Sequence, residues 1–295
     1  PLFNDAPSGG SSVVTTDEGN IPGMGSQHET SATQPFGAAT DGSFKMELHG
    51  ADATVSIGGT ELKVENGKLY HNGVEVTADA AVSVPGGAHG TLTVTGMDAD
   101  GTVHYTYTLT APVDATGNAS NRPGEGDAGR GEAVHADAFD VSITTTGGTA
   151  TGQITVDALD DAPVLSTLDT TQTTVADGEA ALTGTLSFTP GADAEGAQVT
   201  VEVEGQTFTG TKGENGWTFT GGSDGSSFQL NGTAFTYTRP SSNTTDGRND
   251  TIILKVTVTD GDGDTAEQSV TVNTVAGPLF NDAPSGGSSV VTTDE

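Results

Sequence analysis

The feature that most constrains this chain is a repeat of its own beginning. The first 18 residues, PLFNDAPSGGSSVVTTDE, recur letter for letter at residues 278–295. An identity of this length does not arise by chance, so the chain holds one repeat of 277 residues and the start of the next copy. A duplication of the ends by engineering is the less favoured alternative. The sequence therefore predicts a tandem array, in which each unit contacts mainly its neighbours.

An older, diverged duplication lies inside this repeat. The tripeptide Asp-Ala-Pro occurs at 5–7, 161–163 and 282–284, each time after a strand-like segment that ends in Asn or Asp. Proline fixes φ and cannot donate to a ladder, so the tripeptide suits a stiff exit from a sheet. Other motifs recur in the same order in both halves: TTDE (15–18) and ADGE (176–179), GSFKMELHGADA (42–53) and GTLSFTPGADA (184–194), TVHYTYTLTAP (102–112) and TAFTYTRP (233–240), FDVSITTTGGTATGQITV (139–156) and LKVTVTDGDGDTAEQSVTV (254–272).

This duplication predicts two homologous domains. The larger covers 1–160 and contains an extra hairpin-rich stretch at 61–76 and an acidic, Gly-rich insert at 113–138. The smaller covers 161–277, and 278–295 begins the next copy.

The residue pattern of both halves is typical of β-structure. Only 32% of residues are hydrophobic and 5% aromatic, whereas Gly is abundant at 43 residues. Apolar and polar residues alternate in segments such as 199–205, 253–260 and 269–273, as in strands with one buried face. About seven such strands per domain, with frequent turns, predict an all-β fold of tandem immunoglobulin-like β-sandwiches.

Charge and composition exclude several classes of partner. Forty acidic residues against nine basic ones give a formal charge of −31, which would repel nucleic acid and anionic membranes. The chain has no cysteine, so disulfides, zinc–thiolate sites and cysteine nucleophiles are excluded. No segment has the length of a membrane span or the pattern of a signal peptide. The carboxylates are either simply solvated or await a divalent cation.

The strongest chemical signal is Asp260-Gly-Asp262-Gly-Asp264. Calcium prefers six to eight oxygen ligands, which alternating aspartates and glycines can supply. The segment does not match an EF-hand, because Thr265 and Thr271 stand where that loop needs Gly and Glu. A plain polar hairpin turn is the alternative, but it does not explain three adjacent carboxylates. Strand parity predicts that this loop lies near further carboxylates of the first link: Asp160, Asp161, Asp193, Glu195, Asp17 and Glu18.

The second link, at 281–284, is expected to bind calcium less well. Glu179 and Asp177 should approach Asp282 there. The next copy would add Asp52 and, with a plain hairpin turn as the alternative, Asp98 and Asp100. Its Thr-Thr-Gly-Gly-Thr segment at 145–149 offers no carboxylate. We therefore expect a stiff joint near 160–163 and a looser one near 281–284.

Several of these motifs together resemble a known family. The Asp-Ala-Pro junctions, the GAD turns, the stretch 90–108 and VTDGDGDTA (258–266) are similar to the Ig-like and cadherin-like repeats, including the VCBS-type repeat, of giant type I-secreted RTX-type bacterial adhesins. The resemblance implies an extracellular stalk on the bacterial cell surface, a calcium requirement and a role in attachment or biofilm formation. The chain departs from the pattern at 145–149, which puts a calcium site in doubt there.

Other functions fit the sequence less well. No nucleophile-elbow motif, P-loop or dinucleotide fingerprint is present, and the six histidines lack a metal-ligand spacing, so we expect no enzyme. A calcium-dependent carbohydrate-binding module is one alternative, with Trp217 and Asp224 as candidate glycan contacts. A self-assembling extracellular filament or matrix subunit is another. The expected partners are neighbouring repeats, with other copies or surface glycans under these alternatives.

Overall fold

The computed structural model describes residues 6–25, 37–113, 132–176, 181–214, 216–239 and 251–275. These residues form β-strands and one short 3₁₀ helix, and they contain no α-helix. The predicted all-β class of tandem Ig-like and cadherin-like sandwiches is confirmed. The chain divides into two compact units: Pro1–Val164, Phe188–Gln198 and Val258–Ala266 make the first, and Leu165–Ser187, Val199–Thr257 and Glu267–Glu295 make the second. The predicted domain boundaries after residues 160 and 277 stay a prediction.

Twelve described strands belong to the first half of the chain. They are β1 (Ser8–Gly9), β2 (Ser12–Asp17), β3 (Ala39–Glu47), β4 (Ala53–Ile57), β5 (Thr60–Glu65), β6 (Lys68–His71), β7 (Val74–Glu75), β8 (Val82–Val84), β9 (Gly90–Met97), β10 (Thr102–Leu109), β11 (Glu132–Thr145) and β12 (Gly148–Leu159), with the 3₁₀ helix at Glu18–Asn20 after β2.

These strands form two sheets. One has the order β1-β3-β10-β9-β8 and the other the order β2-β12-β11-β4-β5-β6-β7. Strand β2 pairs in parallel with β12, whereas the other assigned pairs of the unit are antiparallel. The hairpin-rich stretch predicted at 61–76 is present as β5, β6 and β7, which extend the second sheet.

The core of the first unit is built from alternate residues of these strands. In β10, for example, Val103, Tyr105, Tyr107 and Leu109 are buried, and the residues between them are not. This alternation is the consequence of strand geometry, since successive side chains point to opposite faces. The core therefore follows the hydrophobic pattern of the sequence.

A buried polar network fixes the edge of this core near residue 89. The carboxylate of Asp137 accepts backbone hydrogen bonds from Ala88 (2.7 Å), His89 (3.2 Å) and Gly90 (3.2 Å), and a short one from the Tyr107 hydroxyl. Because buried polar groups are stable only when paired, this network is a structural support of the 88–90 segment. Burial, followed by the carboxylate of Asp137, raises the pKa of Tyr107.

Ten described strands belong to the second half of the chain. They are β13 (Val164–Thr170), β14 (Thr174–Ala176), β15 (Ala181–Thr189), β16 (Gln198–Val203), β17 (Gln206–Gly213), β18 (Gly216–Gly221), β19 (Ser227–Asn231), β20 (Ala234–Thr238), β21 (Thr251–Thr259) and β22 (Thr265–Val275).

The second set of strands repeats the plan of the first. Its sheets have the orders β13-β15-β20-β19 and β14-β22-β21-β16-β17-β18. Strand β14 pairs in parallel with β22, as β2 does with β12. This shared parallel pair is what a duplication of one ancestral sandwich predicts. Aromatic rings fill much of the core, with Phe208, Phe228, Phe235 and Tyr237 all buried.

A partly buried ion pair stabilises the turn between β16 and β17. Glu204 has a positive φ of 48°, and its carboxylate accepts hydrogen bonds from the guanidinium of Arg239, the shortest at 2.6 Å. It also accepts one from the hydroxyl of Tyr237 at 3.0 Å. These bonds hold a turn residue in a conformation that non-glycine residues rarely adopt.

Candidate metal centre

Two groups of carboxylates lie close enough to hold metal ions. Glu18, Asp160 and Asp193 form the first group, and Asp160, Asp262 and Asp264 form the second. Within each group the candidate ligand oxygens all lie within 4.8 Å of one another. Asp160 belongs to both groups, so five residues together offer two adjacent cation positions that share one carboxylate.

The five residues come from four separate segments of the chain. Glu18 opens the 3₁₀ helix that follows β2, and Asp160 directly follows the end of β12. Asp193 lies in the loop between β15 and β16, and Asp262 and Asp264 lie in the loop between β21 and β22. By its contacts, each of these positions belongs to the first compact unit.

Glu18 is fully buried, with 0% of its surface exposed. Its Oε1 accepts a 2.7 Å hydrogen bond from the backbone N–H of Val113. Its Oε2 is also buried and accepts no hydrogen bond from the described residues. Burial, and then the nearby charge of Asp193, raise the pKa of Glu18 to about 10. This carboxylate therefore needs either a proton or a cation.

Asp160 is buried in the same way, with 1% of its surface exposed. Its Oδ1 accepts no hydrogen bond from the described part of the chain. Burial raises the pKa of Asp160 to about 9, and the charges of Asp262, Asp264, Asp193 and Asp260 add to the effect in that order. A carboxylate surrounded by others on several sides is the natural place for a shared cation ligand.

The loop 260–264 is held in shape by its own first residue. Oδ1 of Asp260 accepts hydrogen bonds from the backbone N–H groups of Gly263 (3.0 Å) and Asp264 (2.7 Å). Its Oδ2 is buried and accepts no hydrogen bond from the described residues. Burial is the main cause that raises the pKa of Asp260 to about 8 and that of Asp264 to about 6.

Two loops of the centre contact each other through a glycine. The backbone N–H of Gly261 donates a 2.7 Å hydrogen bond to the carbonyl oxygen of Asp193. A Cβ at position 261 would lie 2.1 Å from the carbonyl oxygen of Glu195 and 2.9 Å from that of Asp193. Only glycine allows this approach, which brings the 260–264 loop against the 193–195 segment.

Three other predicted ligands have different positions. Oδ1 of Asp17 accepts a hydrogen bond from the backbone N–H of Gly19 (2.9 Å), and so caps the 3₁₀ helix. Oδ2 of Asp161 accepts one from the backbone N–H of Ala192 (2.9 Å). The Glu195 side chain is exposed and belongs to neither group. Asp17 and Asp161 thus shape the backbone around the centre.

The remaining predicted ligands, Glu179 and Asp282, lie outside the described residues.

The composition of the two groups selects the kind of ion. Only carboxylates take part, and soft or imidazole-preferring metals would be expected to use sulfur or histidine. Calcium accepts many oxygens in flexible geometry, and magnesium instead keeps several waters and uses few carboxylates. Two divalent cations would offset four of the five negative charges. The residues present therefore fit calcium.

One contributor to the centre has no sequence signature. Val113 binds Glu18 through its main-chain N–H, which any residue except proline has.

The described residues give little support to the carbohydrate-binding alternative. Trp217 is half-buried in β18, and Asp224 uses its Oδ1 to accept hydrogen bonds from the backbone N–H and hydroxyl of Ser226 (2.9 and 2.6 Å).

No family model and no curated protein matches this sequence. Among solved structures, the chain is similar to titin domains Z1Z2 in complex with telethonin, with 12% identity over 93% of this chain and 98% of that chain and a TM-score of 0.40. It is also similar to PcdhgB3 EC1-4 (12% identity, 92% of this chain and 51% of that chain, TM-score 0.27) and to domains 3 and 4 of rat CD4 (8% identity, 89% and 100%, TM-score 0.24). These are likenesses of fold alone.

No helix among the described residues has the length and apolar character needed to cross a membrane.

Proposed function

We propose that this chain is a calcium-stiffened extender repeat of a large extracellular bacterial adhesin of the RTX, type I-secreted kind. Its task would be structural, in surface attachment or biofilm formation at the bacterial cell surface. The observation that carries the proposal is the pair of carboxylate groups joined by Asp160, in which buried oxygens of Glu18 and Asp160 lack hydrogen-bond donors among the described residues.

The energetics support a cation in this place. Buried carboxylates that repel one another destabilise the folded state unless protons or cations neutralise them. Outside the cell calcium is abundant, and extracellular modules bind it with dissociation constants of roughly 10⁻⁴–10⁻³ M. At ten times the dissociation constant, one bound ion stabilises the native state by about 1.4 kcal/mol. Two such ions would be a large share of the stability of an ordinary domain.

Binding would also fix the chain at its first link. The ligands lie before and after the segment 160–163, so an ion held by Glu18, Asp160 and Asp193, or by Asp160, Asp262 and Asp264, would tie those segments together. A tandem array fixed in this way transmits force and holds an adhesive end away from the cell. Its partners would be the neighbouring repeats of the same chain.

Equilibrium dialysis with calcium tests this proposal. We expect binding with a dissociation constant at or below the millimolar range, and marked weakening in Asp262→Ala. The exposed Asp79→Ala, with the same loss of charge, should bind as the unaltered chain does. Absence of calcium binding would contradict the proposal.

Two further measurements separate the alternatives. Concentration-dependent self-association in sedimentation would favour a filament or matrix subunit over an extender. Retention on immobilised glycans in calcium would favour a carbohydrate-binding module. The extender predicts neither.

A further inference from the structure

The two links of each repeat differ at the residue that the metal centre uses twice. The first link reads Asp160-Asp-Ala-Pro, and the second reads Asn281-Asp-Ala-Pro, as does the chain start at Asn4. Asp160 is the shared member of both carboxylate groups. An asparagine at the corresponding place keeps one oxygen but has no negative charge.

The turn of the first half that corresponds to the loop 260–264 is shorter than that loop and has no carboxylate. In the second half of the chain five residues with three carboxylates separate β21 from β22. In the first half the ladder between β11 and β12 continues to the pair Thr145 and Gly148, which leaves only Thr146 and Gly147 in the turn. The turn is closed by a hydrogen bond from the Gly147 backbone N–H to the Thr145 hydroxyl (3.1 Å). This two-residue turn has no carboxylate side chain and is too short to wrap around a cation.

The carboxylate that corresponds to Asp193 in the first half of the chain is also in a different environment. The GAD motifs align Asp52 with Asp193. Asp193 is buried, with 5% of its surface exposed. Asp52 is exposed, and its Oδ1 accepts a hydrogen bond from the backbone N–H of Asn66 (3.1 Å). It is solvated and already bonded, so it gains little from a cation.

The two other carboxylates expected at this end of the first unit have partners as well. Asp98 contacts the Nε2 of His104 at 2.8 Å. Asp100 accepts a hydrogen bond from the Thr102 backbone N–H (3.1 Å) and lies 3.6 Å from the ammonium of Lys45. Exposed pairs of this kind are worth little energy and require no metal.

The linking segments differ in length too. Three residues separate Val156 of β12 from Asp160, whereas eight separate Val272 of β22 from Asn281. The second link therefore has five more residues before its Asp-Ala-Pro.

From these differences we infer that calcium locks only the link at 160–163 and leaves the link at 281–284 unlocked. A tandem array would then alternate links that bind calcium with links that do not, one of each in every 277 residues. The inference rests on the proposed function, because it requires that the first link binds calcium.

Spin-label distance measurements on a chain of two consecutive repeats test this alternation. The protein has no cysteine, so two engineered cysteines carry the labels without background. Thr91→Cys and Gln229→Cys, both at exposed strand positions, report on the first link when they are in one copy. Gln229→Cys in the first copy and Thr91→Cys in the second report on the second link. Each distance distribution is recorded in calcium and in chelator.

The expected result is that calcium narrows the distribution across the first link and leaves that across the second unchanged. Asp160→Asn, which gives the first link the residue of the second, should abolish the narrowing. Equal narrowing across both links would overturn the alternation while leaving the proposed function intact. Absence of narrowing across the first link in the unaltered chain would overturn the calcium lock itself, and the alternation with it.

Discussion

The backbone N–H of Val113 holds the carboxylate of Glu18 by a 2.7 Å hydrogen bond to Oε1. The segment before Val113 is itself fixed by His89. The carbonyl oxygen of His89 accepts hydrogen bonds from the N–H groups of Thr110 and Ala111 (2.9 Å each), and its ring Nδ1 lies 2.6 Å from the carbonyl oxygen of Pro112. The Asp137 network anchors His89 in turn. The fold of the first unit thus places the carboxylate of Glu18 beside those of Asp160 and Asp193.

Glu18→Gln should remove one of the two cation positions. The amide keeps the size of the side chain but loses the charge, so the group with Asp160 and Asp193 is weakened, and the group with Asp262 and Asp264 remains. We expect the number of bound calcium ions to fall by one, measured by equilibrium dialysis. The exposed Glu47→Gln is the matched control. An unchanged number of ions would exclude Glu18 as a ligand.

Without calcium, the protein should lose stability as the pH rises. The pKa values of Glu18 (about 10), Asp160 (about 9) and Asp260 (about 8) lie above those of unfolded carboxyl groups, near 4. The folded state therefore binds more protons than the unfolded state between these limits. The free energy that this proton binding adds to the stability of the folded state is fully present below about pH 4. It is lost as the pH rises through the pKa values of the folded state.

Thermal unfolding in chelator between pH 5 and pH 9 measures this slope. In saturating calcium the slope should be reduced or reversed, because the cation binds the deprotonated carboxylates. A chelated protein that is more stable at pH 9 than at pH 5 would refute the burial of these groups as described.

Gly261→Ala should disrupt the centre without changing its charge. The added Cβ would meet the carbonyl oxygen of Glu195 at 2.1 Å, so the loop 260–264 must move away from the 193–195 segment. We expect a destabilisation of about 1–3 kcal/mol, as for other overpacked sites, together with weaker calcium binding. In the control Gly213→Ala the added Cβ would lie 3.7 Å from its nearest neighbour, the carbonyl oxygen of Gly216, so this variant should bind calcium as the unaltered chain does. Equal affinities in the two variants would disprove the close approach.

Arg239→Ala should destabilise the protein by the same amount with and without calcium. It leaves the partly buried carboxylate of Glu204 without its guanidinium partner but with the Tyr237 hydroxyl, so we expect a cost of about 3 kcal/mol, the lower end of the range for a broken buried pair. Lys68→Ala breaks an exposed ion pair with Glu75 and should cost only about 0–1 kcal/mol. Denaturant unfolding in calcium and in chelator measures both. A loss seen only in chelator would link this ion pair to the metal centre.

The sequence predicts the fold well because hydrophobic alternation is a local signal. The alternating residues of 199–205 predict a strand, and β16 covers Gln198–Val203. Likewise, 253–260 and 269–273 fall in β21 and β22. The duplicated motifs predict two similar sandwiches, and both halves of the chain indeed share the parallel pairing of an early strand with the last one.

The metal centre is predictable only in part. Strand parity suggests that Asp193 and the 260–264 loop lie near Asp160, and the structure brings these carboxylates together. That they bind calcium stays a prediction. Pattern alone cannot separate the carboxylates that face the centre from Asp17 and Asp161, which accept backbone hydrogen bonds, or from the exposed Glu195. That distinction depends on side-chain rotamers and on main-chain donors such as Val113, which have no sequence motif.

Thermal unfolding of the full chain in chelator, in millimolar magnesium and in millimolar calcium tests the central claim most directly. We predict a large rise of the unfolding temperature that is specific to calcium. Most of the rise should be lost in Asp160→Asn, whereas it should be retained in the exposed Asp79→Asn. If the unfolding temperature is the same in calcium as in chelator, or if magnesium raises it as much as calcium does, the proposal that this centre binds calcium is contradicted.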